Sequence, residues 1–331
     1  MPFRATAIAC ANIALIKYWG NRDHQLRLPS NSSLSMNMAG LTTTTTVEFD
    51  PSLKSDVLIL GGRKIVGAGR DRVSRFLDRV REKTSEVLET SEVSRLFARV
   101  DSRNEFPSGT GLASSASGFA ALASAASTAV GLRLSEAELS RLARLGSGSA
   151  CRSIPGGFVE WDRGVDDATS FAHSIAPADH WDVRDVIAII NFAHKSIGST
   201  EGHAVADTSP LQAARVASTP DRLAQARSAV LNRDFAALAD VVELDSLMMH
   251  AVMITSSPTL LYWQPATLDV MQAVVNWRNE GLPACTTIDA GPNVHVLCLA
   301  ASSAEVERRV RSIDGVREVI VTQPGGPAKL V

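Results

Sequence analysis

Pro107-Ser108-Gly109-Thr110-Gly111-Leu112-Ala113-Ser114-Ser115-Ala116-Ser117 stands between a strand-like segment and a run of small apolar residues, 112–130, rich in alanine and free of proline. That run reads as a closely packed, buried helix opening at the end of a Gly/Ser loop. Glycines let a backbone approach an anion, and the free N–H groups at a helix start favour phosphate. The hydroxyls of Ser108, Ser114 and Ser115 offer further donors to a nucleotide, or ligands to its Mg²⁺. The loop lacks the Gly-Lys-Ser/Thr end of a Walker loop and the spacing of a dinucleotide fingerprint, so on its own residues it is either a phosphate cradle or a capped helix start.

Outward from the loop, residues 5–16 and 42–49 favour extended structure, the latter through the β-branched run Thr42–Val47. From Gly69, apolar Val73, Phe76, Leu77 and Val80 recur at helical spacing, and a second helix over 135–145 opens at Ser135 with Arg141 and Arg144 near its end. After Asp182 the pattern restarts: a strand over Val186–Phe192, helices within 210–252 and 266–280, strands near 284–289 and 294–299, a helix at 303–313 and a strand at 317–322. This predicts an α+β protein of two lobes, 1–184 and 185–331, closely packed around a cleft.

Composition removes several classes of function. The 331-residue chain is 45% hydrophobic with a net charge of -2 and interspersed charges, which leaves no footprint for nucleic acid or an anionic membrane. No apolar run approaches the roughly 18 residues of a membrane span, and the N-terminus does not read as a signal peptide, so a cytoplasmic location is expected. The four cysteines and seven histidines are scattered without metal-ligand spacing, which predicts buried free thiols and no structural zinc.

Three further stretches carry chemistry. Gly146-Ser147-Gly148-Ser149-Ala150-Cys151-Arg152-Ser153 places one arginine among small residues, where its fork meets either an anionic substrate or loop carbonyls. Thr286-Thr287-Ile288-Asp289-Ala290-Gly291-Pro292-Asn293 puts a carboxylate at a strand end, either facing a cleft or capping the turn. Asn12 through Asp23 concentrates Lys17, Tyr18 and Trp19, in a chain with two tyrosines and five tryptophans, before the turn at Gly20. Those aromatics are either a site wall or core packing at a strand end.

Together, Asn12–Asp23, Leu28–Ser35, loop 107–117, Gly146–Trp161, Gly198–Gly202 and Asp289–Asn293 resemble the mevalonate diphosphate decarboxylase family of the GHMP kinase superfamily, in order and over nearly the whole chain. The resemblance implies a GHMP kinase fold: an N-terminal lobe like ribosomal protein S5 domain 2 and a ferredoxin-like C-terminal lobe. It implies ATP as co-substrate with Mg²⁺, a phosphorylated mevalonate as substrate, and a homodimer as an assembly open to the chain. By the same resemblance Ser108, Gly109, Thr110, Gly111, Leu112, Ala113, Ser114 and Ser115 hold the nucleotide, and Asp289 faces the C3 hydroxyl. Arg152 holds the C1 carboxylate, helped by Asn12, with Lys17 and Tyr18 lining that pocket. Ser149, Ser199 and Arg72 face the 5-phosphoryl end. No all-protein metal cage is visible, since nucleotide phosphates supply several Mg²⁺ ligands.

The family typically reads Lys-Tyr-Trp-Gly-Lys-Arg-Asp, whose second lysine reaches the terminal phosphate; here the position is Asn21. Losing that cation weakens a diphosphate contact by around 1–3 kcal/mol unless Arg22, Arg72 or Lys195 compensates. The expected substrate is therefore mevalonate 5-phosphate, giving isopentenyl phosphate, with mevalonate 5-diphosphate as the alternative. A mevalonate 3-kinase and a non-catalytic nucleotide binder are remoter readings, opposed by the intact motifs around Lys17, Arg152 and Asp289.

Overall fold

A computed structural model describes residues 3–88, 96–106, 114–192 and 198–331. The chain runs β1 (Arg4–Ile16), a small hairpin of β2 (Asn21–Asp23) and β3 (Leu28–Pro29), then β4 (Ser33–Asp50), β5 (Val57–Leu60) and β6 (Arg63–Ile65). There follow α1 (Ala68–Leu88), β7 (Phe97–Asn104), α2 (Ser114–Ala129), α3 (Glu136–Gly146), β8 (Phe158–Trp161) and β9 (Ala172–Ala176). The remainder comprises β10 (Val183–Ile189), α4 (Ser199–Val205), α5 (Gln212–Ala217), α6 (Thr219–Asn232), α7 (Phe235–Thr255), α8 (Pro265–Asn279), β11 (Ala284–Thr287), β12 (Val294–Leu299), α9 (Ser303–Arg311), β13 (Glu318–Thr322) and β14 (Lys329–Leu330).

The spine is the antiparallel pair β1 and β4, running from Arg4 opposite Glu48 to Ile16 opposite Leu34, with register shifts between Cys10 and Ala11 and between Ala14 and Ile16. The threonine run explains its outer half. Burial alternates from Leu41 to Phe49, so Thr43, Thr45 and Val47 point inward while their neighbours face out. The buried hydroxyls are not left unpaired: Thr43 Oγ1 lies 2.7 Å from Ser117 Oγ and Thr45 Oγ1 2.8 Å from Ser102 Oγ. The alanines of α2 let that helix lie close on the sheet, and its buried face joins Phe76, Leu77 and Val80 of α1 in one core.

The second sheet has the order β11-β12-β10-β13 with antiparallel neighbours, and α9 and α8 cover one face. Counted within the sheet, the order is second, third, first, fourth, the split arrangement of a ferredoxin-like unit. The α+β expectation holds. The helices expected within 210–252 are α5, α6 and α7, while two details differ: β10 ends at Ile189 rather than Phe192, and β11 stops at Thr287, leaving Asp289 in the following bend. The breaks fall at Ser218, before Thr219-Pro220 at the start of α6, and at Arg233, where φ is +57° and the chain leaves α6 left-handed before Asp234 caps α7. The last strand, β14, returns to pair with β1. All four cysteines are buried and free, as expected.

Candidate active site

A cavity of about 860 Å³ opens between the two sheets' lobes, a size suited to small ligands. Its wall on one side comes from β1 and the segment that follows, its roof from the first turn of α2, and its far side from α4, Met249 and the Asp289 bend.

Lys17 leaves the end of β1 with its side chain only 1% exposed, and its Nζ lies 2.6 Å from Asp289 Oδ1. The backbone around this lysine is fixed by a buried network. Lys17 N–H donates to Asp245 Oδ2 at 2.6 Å, and Arg215 donates to the Lys17 carbonyl at 2.8 Å. Arg222 in turn pairs with Asp245 at 2.8 Å. The bend that carries Asp289 is held against α7, where Ile288 N–H donates to Ser246 Oγ at 3.0 Å. Burial alone would raise the Asp289 carboxyl, but the Lys17 ammonium, aided by His295 and Arg152, overrides it and holds the group below its ordinary value. Burial pulls Lys17 downward while Asp289 and Asp245 oppose.

Arg152 sits in the helical turn after α3, 3% exposed. One guanidinium nitrogen donates to Ser33 Oγ at 2.8 Å and another to Asn12 Oδ1 at 3.3 Å, while Nε is buried without a partner. Asn12 is itself oriented by donating to Ser153 Oγ at 2.7 Å and to the Ser149 carbonyl at 3.1 Å. No described carboxylate pairs with Arg152, although Asp289 is close enough to favour its charge. A buried cation in this state is matched to an incoming anion.

The wall aromatics are site and core at once. Tyr18 lines the cavity, meets Trp161 edge-on at 4.7 Å and stacks on His203 at 4.1 Å. A side chain at Gly148 would strike the Tyr18 ring at 2.5 Å, so only glycine lets the two segments meet. Gly20 turns the chain with φ +93° and donates its N–H to His203 Nδ1 at 3.0 Å.

Ser114, Ser115, Ser149 and Arg72 also line the cavity. Ser115 Oγ lies 3.3 Å from Ser147 Oγ, and Arg72 donates to the Gly146 carbonyl at 2.8 Å while stacking over Phe119 at 4.7 Å. Asn21 differs from the expectation of a substrate contact: it is 6% exposed, does not line the cavity, and its Oδ1 accepts from the Tyr18 hydroxyl at 2.5 Å. Ser108, Gly109, Thr110, Gly111, Leu112, Ala113 and Lys195, with the side chain of Ser199, lie outside the described residues. Sequence reasoning missed Arg27, His203 and Met249, which all line the cavity. Arg27 alone left a signal, as a cation in the turn of a short hairpin.

Among the described residues no cluster of acidic, histidine or cysteine side chains forms a metal cage, and no helix is long and apolar enough to cross a membrane. A family model described as diphosphomevalonate decarboxylase-like N-terminal domain matches residues 9–172, and one described as mevalonate 5-diphosphate decarboxylase C-terminal domain matches 185–327. The diphosphomevalonate decarboxylase of Aspergillus fumigatus is 40% identical over 95% of this chain and 81% of its own length. The phosphomevalonate decarboxylase of Haloferax volcanii is 36% identical over 99% and 98%. The solved structure of MDDEF in complex with MVAPP, AMPPCP and magnesium superimposes with a TM-score of 0.91 at 37% identity, covering 99% of this chain and 98% of that one. With both halves matched in order and the fold shared end to end, the chain belongs to the diphosphomevalonate decarboxylase family and has its GHMP kinase fold.

Proposed function

We propose that the protein uses ATP to phosphorylate the C3 hydroxyl of mevalonate 5-phosphate and then decarboxylates the product to isopentenyl phosphate, releasing ADP, phosphate and CO2. The observation that carries the reaction class is the buried Lys17–Asp289 pair facing the same cavity as Arg152. With its carboxyl held low, Asp289 is a weak base at neutral pH. Its task is to orient the tertiary hydroxyl in line with the γ-phosphate and to receive the proton as the O–P bond forms, with Lys17 adjacent to steady that charge. Arg152 and Asn12 hold the C1 carboxylate. As the phosphorylated C3 oxygen departs, the C1–C2 bond breaks, its electron pair becomes the C2=C3 double bond, and CO2 leaves.

ATP enters over the start of α2, where Ser114 and Ser115 line the cavity with their hydroxyl-bearing side chains at a helix N-terminus, an end that favours phosphate. Mg²⁺ fits this setting as an ion carried mainly by the nucleotide phosphates, with these serines as the protein's oxygen donors and charge neutralisation as its contribution. The buried reduced thiols suit a cytoplasmic enzyme.

The monophosphate is favoured because the position from which the family's lysine reaches a terminal phosphate holds a neutral amide already committed to Tyr18. Mevalonate 5-diphosphate is the alternative, favoured by the names of most relatives at comparable identity. Incubation with ATP and Mg²⁺ and each substrate in turn, following ADP and CO2 together, tests both. Higher kcat/KM with the monophosphate supports the proposal, a clear preference for the diphosphate ends it, and ADP without CO2 makes the protein a 3-kinase.

A further inference from the structure

Arg27 occupies a place where an arginine is unexpected. It ends the turn between β2 and β3 with φ +50°, a left-handed conformation ordinarily taken by glycine or asparagine. Arg233, the other described non-glycine residue with positive φ, closes α6 as a helix cap; Arg27 instead lines the cavity. Its Nε donates to the Leu145 carbonyl at 3.1 Å, and Arg72 donates to the next carbonyl, Gly146, at 2.8 Å. Two guanidinium groups are thus pinned to consecutive carbonyls at the end of α3.

Among the described residues no carboxylate lies within ion-pair distance of either arginine. Most of the five N–H donors on each fork remain uncommitted, and Arg72 Nε is buried with no partner. Arg72 is disfavoured as a cation here: burial, with the proximity of Arg27 and Arg75, pushes it down to about 10. Juxtaposed, partly buried like charges are tolerated where an anion completes them. The hydroxyl-bearing residues Ser147 and Ser149 line the cavity beside them.

We propose that Arg27 and Arg72 together grip the 5-phosphoryl group, and that Arg27, by adding its charge at this end of the cavity and not at position 21, sets it for a single phosphate dianion. The charge match is the reason: two guanidiniums neutralise the two charges of a phosphate monoester, whereas a diphosphate brings more. This specificity role rests on the monophosphate reading above, while the phosphoryl contact itself does not.

The test uses Arg27→Asn, which removes the charge and tolerates the left-handed backbone, and Arg27→Lys, which keeps the charge without the fork. Steady-state KM is measured for the phosphorylated substrate that the wild type turns over, with KM for ATP as the internal control. Arg27→Asn is expected to raise the former about 10–100-fold and Arg27→Lys less, with KM for ATP little changed. A substrate KM within twofold of wild type in Arg27→Asn overturns the contact. Should Arg27→Asn fail to fold, Arg27→Lys carries the same reading, with a rise of about fivefold or more expected and an unchanged KM overturning it. A wild type preferring the diphosphate removes the monophosphate reading without touching the contact.

Discussion

Lys17 Nζ lies 2.6 Å from Asp289 Oδ1 across 272 residues of chain, joining the end of the first strand of one sheet to the bend after β11 of the other. The pair is asymmetric, with the lysine buried and the carboxylate side chain 31% exposed towards the cavity. Replacing Lys17 by Met therefore leaves the carboxylate in place but strips its first cation. Asp289 should then titrate higher, and kcat should fall roughly 10²–10⁴-fold, the range for losing a group that supports proton transfer. A Lys17→Met enzyme within tenfold of wild type would place the chemistry elsewhere.

The same electrostatics fix a pH dependence. The folded Asp289 carboxyl lies below its ordinary 3.8, so the stability it contributes is present above that value and is lost as pH falls through the folded one. Asp289 stays ionised through the working range, and kcat should show no acid limb from it above about pH 5. On the basic side, burial pulls Lys17 below its ordinary 10.5, so activity should fall before that value is reached. Measuring kcat from pH 5 to 10 in wild type and Asp289→Asn checks both sides.

Arg152 divides its nitrogens between Ser33 and Asn12, an arrangement lysine cannot copy. Arg152→Lys should therefore lower kcat/KM by about 10–100-fold, corresponding to one charged hydrogen bond of about 1.5–3 kcal/mol. Asn12→Ala should lose a smaller factor through the same substrate. Equal KM values for Arg152→Lys and wild type would remove the carboxylate contact.

How far the sequence discloses this site follows from what each residue does locally. Asp289, Arg152 and Lys17 sit in short, distinctive motifs next to turns, so their types and positions speak together. Ser135 likewise announces α3, because its capping box is written within four residues. Arg27 is different: its role depends on a left-handed turn and on meeting the carbonyl of Leu145, 118 residues away. The burial of Asn21 by Tyr18 is equally invisible, since a side chain's choice between the ligand space and a neighbour is settled in three dimensions. The breaks among α5, α6 and α7 are, by contrast, written locally, in Ser218-Thr219-Pro220 and in Asp234, whose side chain caps α7.

Position 21 offers a gain-of-function test. Asn21→Lys adds a cation beside Tyr18 and removes the acceptor for its hydroxyl. The ratio of kcat/KM for diphosphate over monophosphate should rise about tenfold, in line with the roughly 1–3 kcal/mol of a charged hydrogen bond. A ratio unchanged or lowered would mean that charge at this position does not decide the substrate.

The support beneath Lys17 predicts a stability effect separable from chemistry. Asp245 is fully buried, accepts from the Lys17 backbone N–H and pairs with Arg222, itself 5% exposed. Asp245→Ala strands the Arg222 guanidinium and frees the backbone that aims Lys17 at Asp289. Breaking one side of such a buried pair costs about 3–5 kcal/mol, because the remaining charge keeps its desolvation penalty. The urea midpoint should drop accordingly. A double change, Asp245→Leu with Arg222→Met, should recover much of the midpoint by removing both charges, yet leave kcat low because the Lys17 N–H still lacks its acceptor. Recovery of kcat together with stability would show that Asp245 serves only the fold.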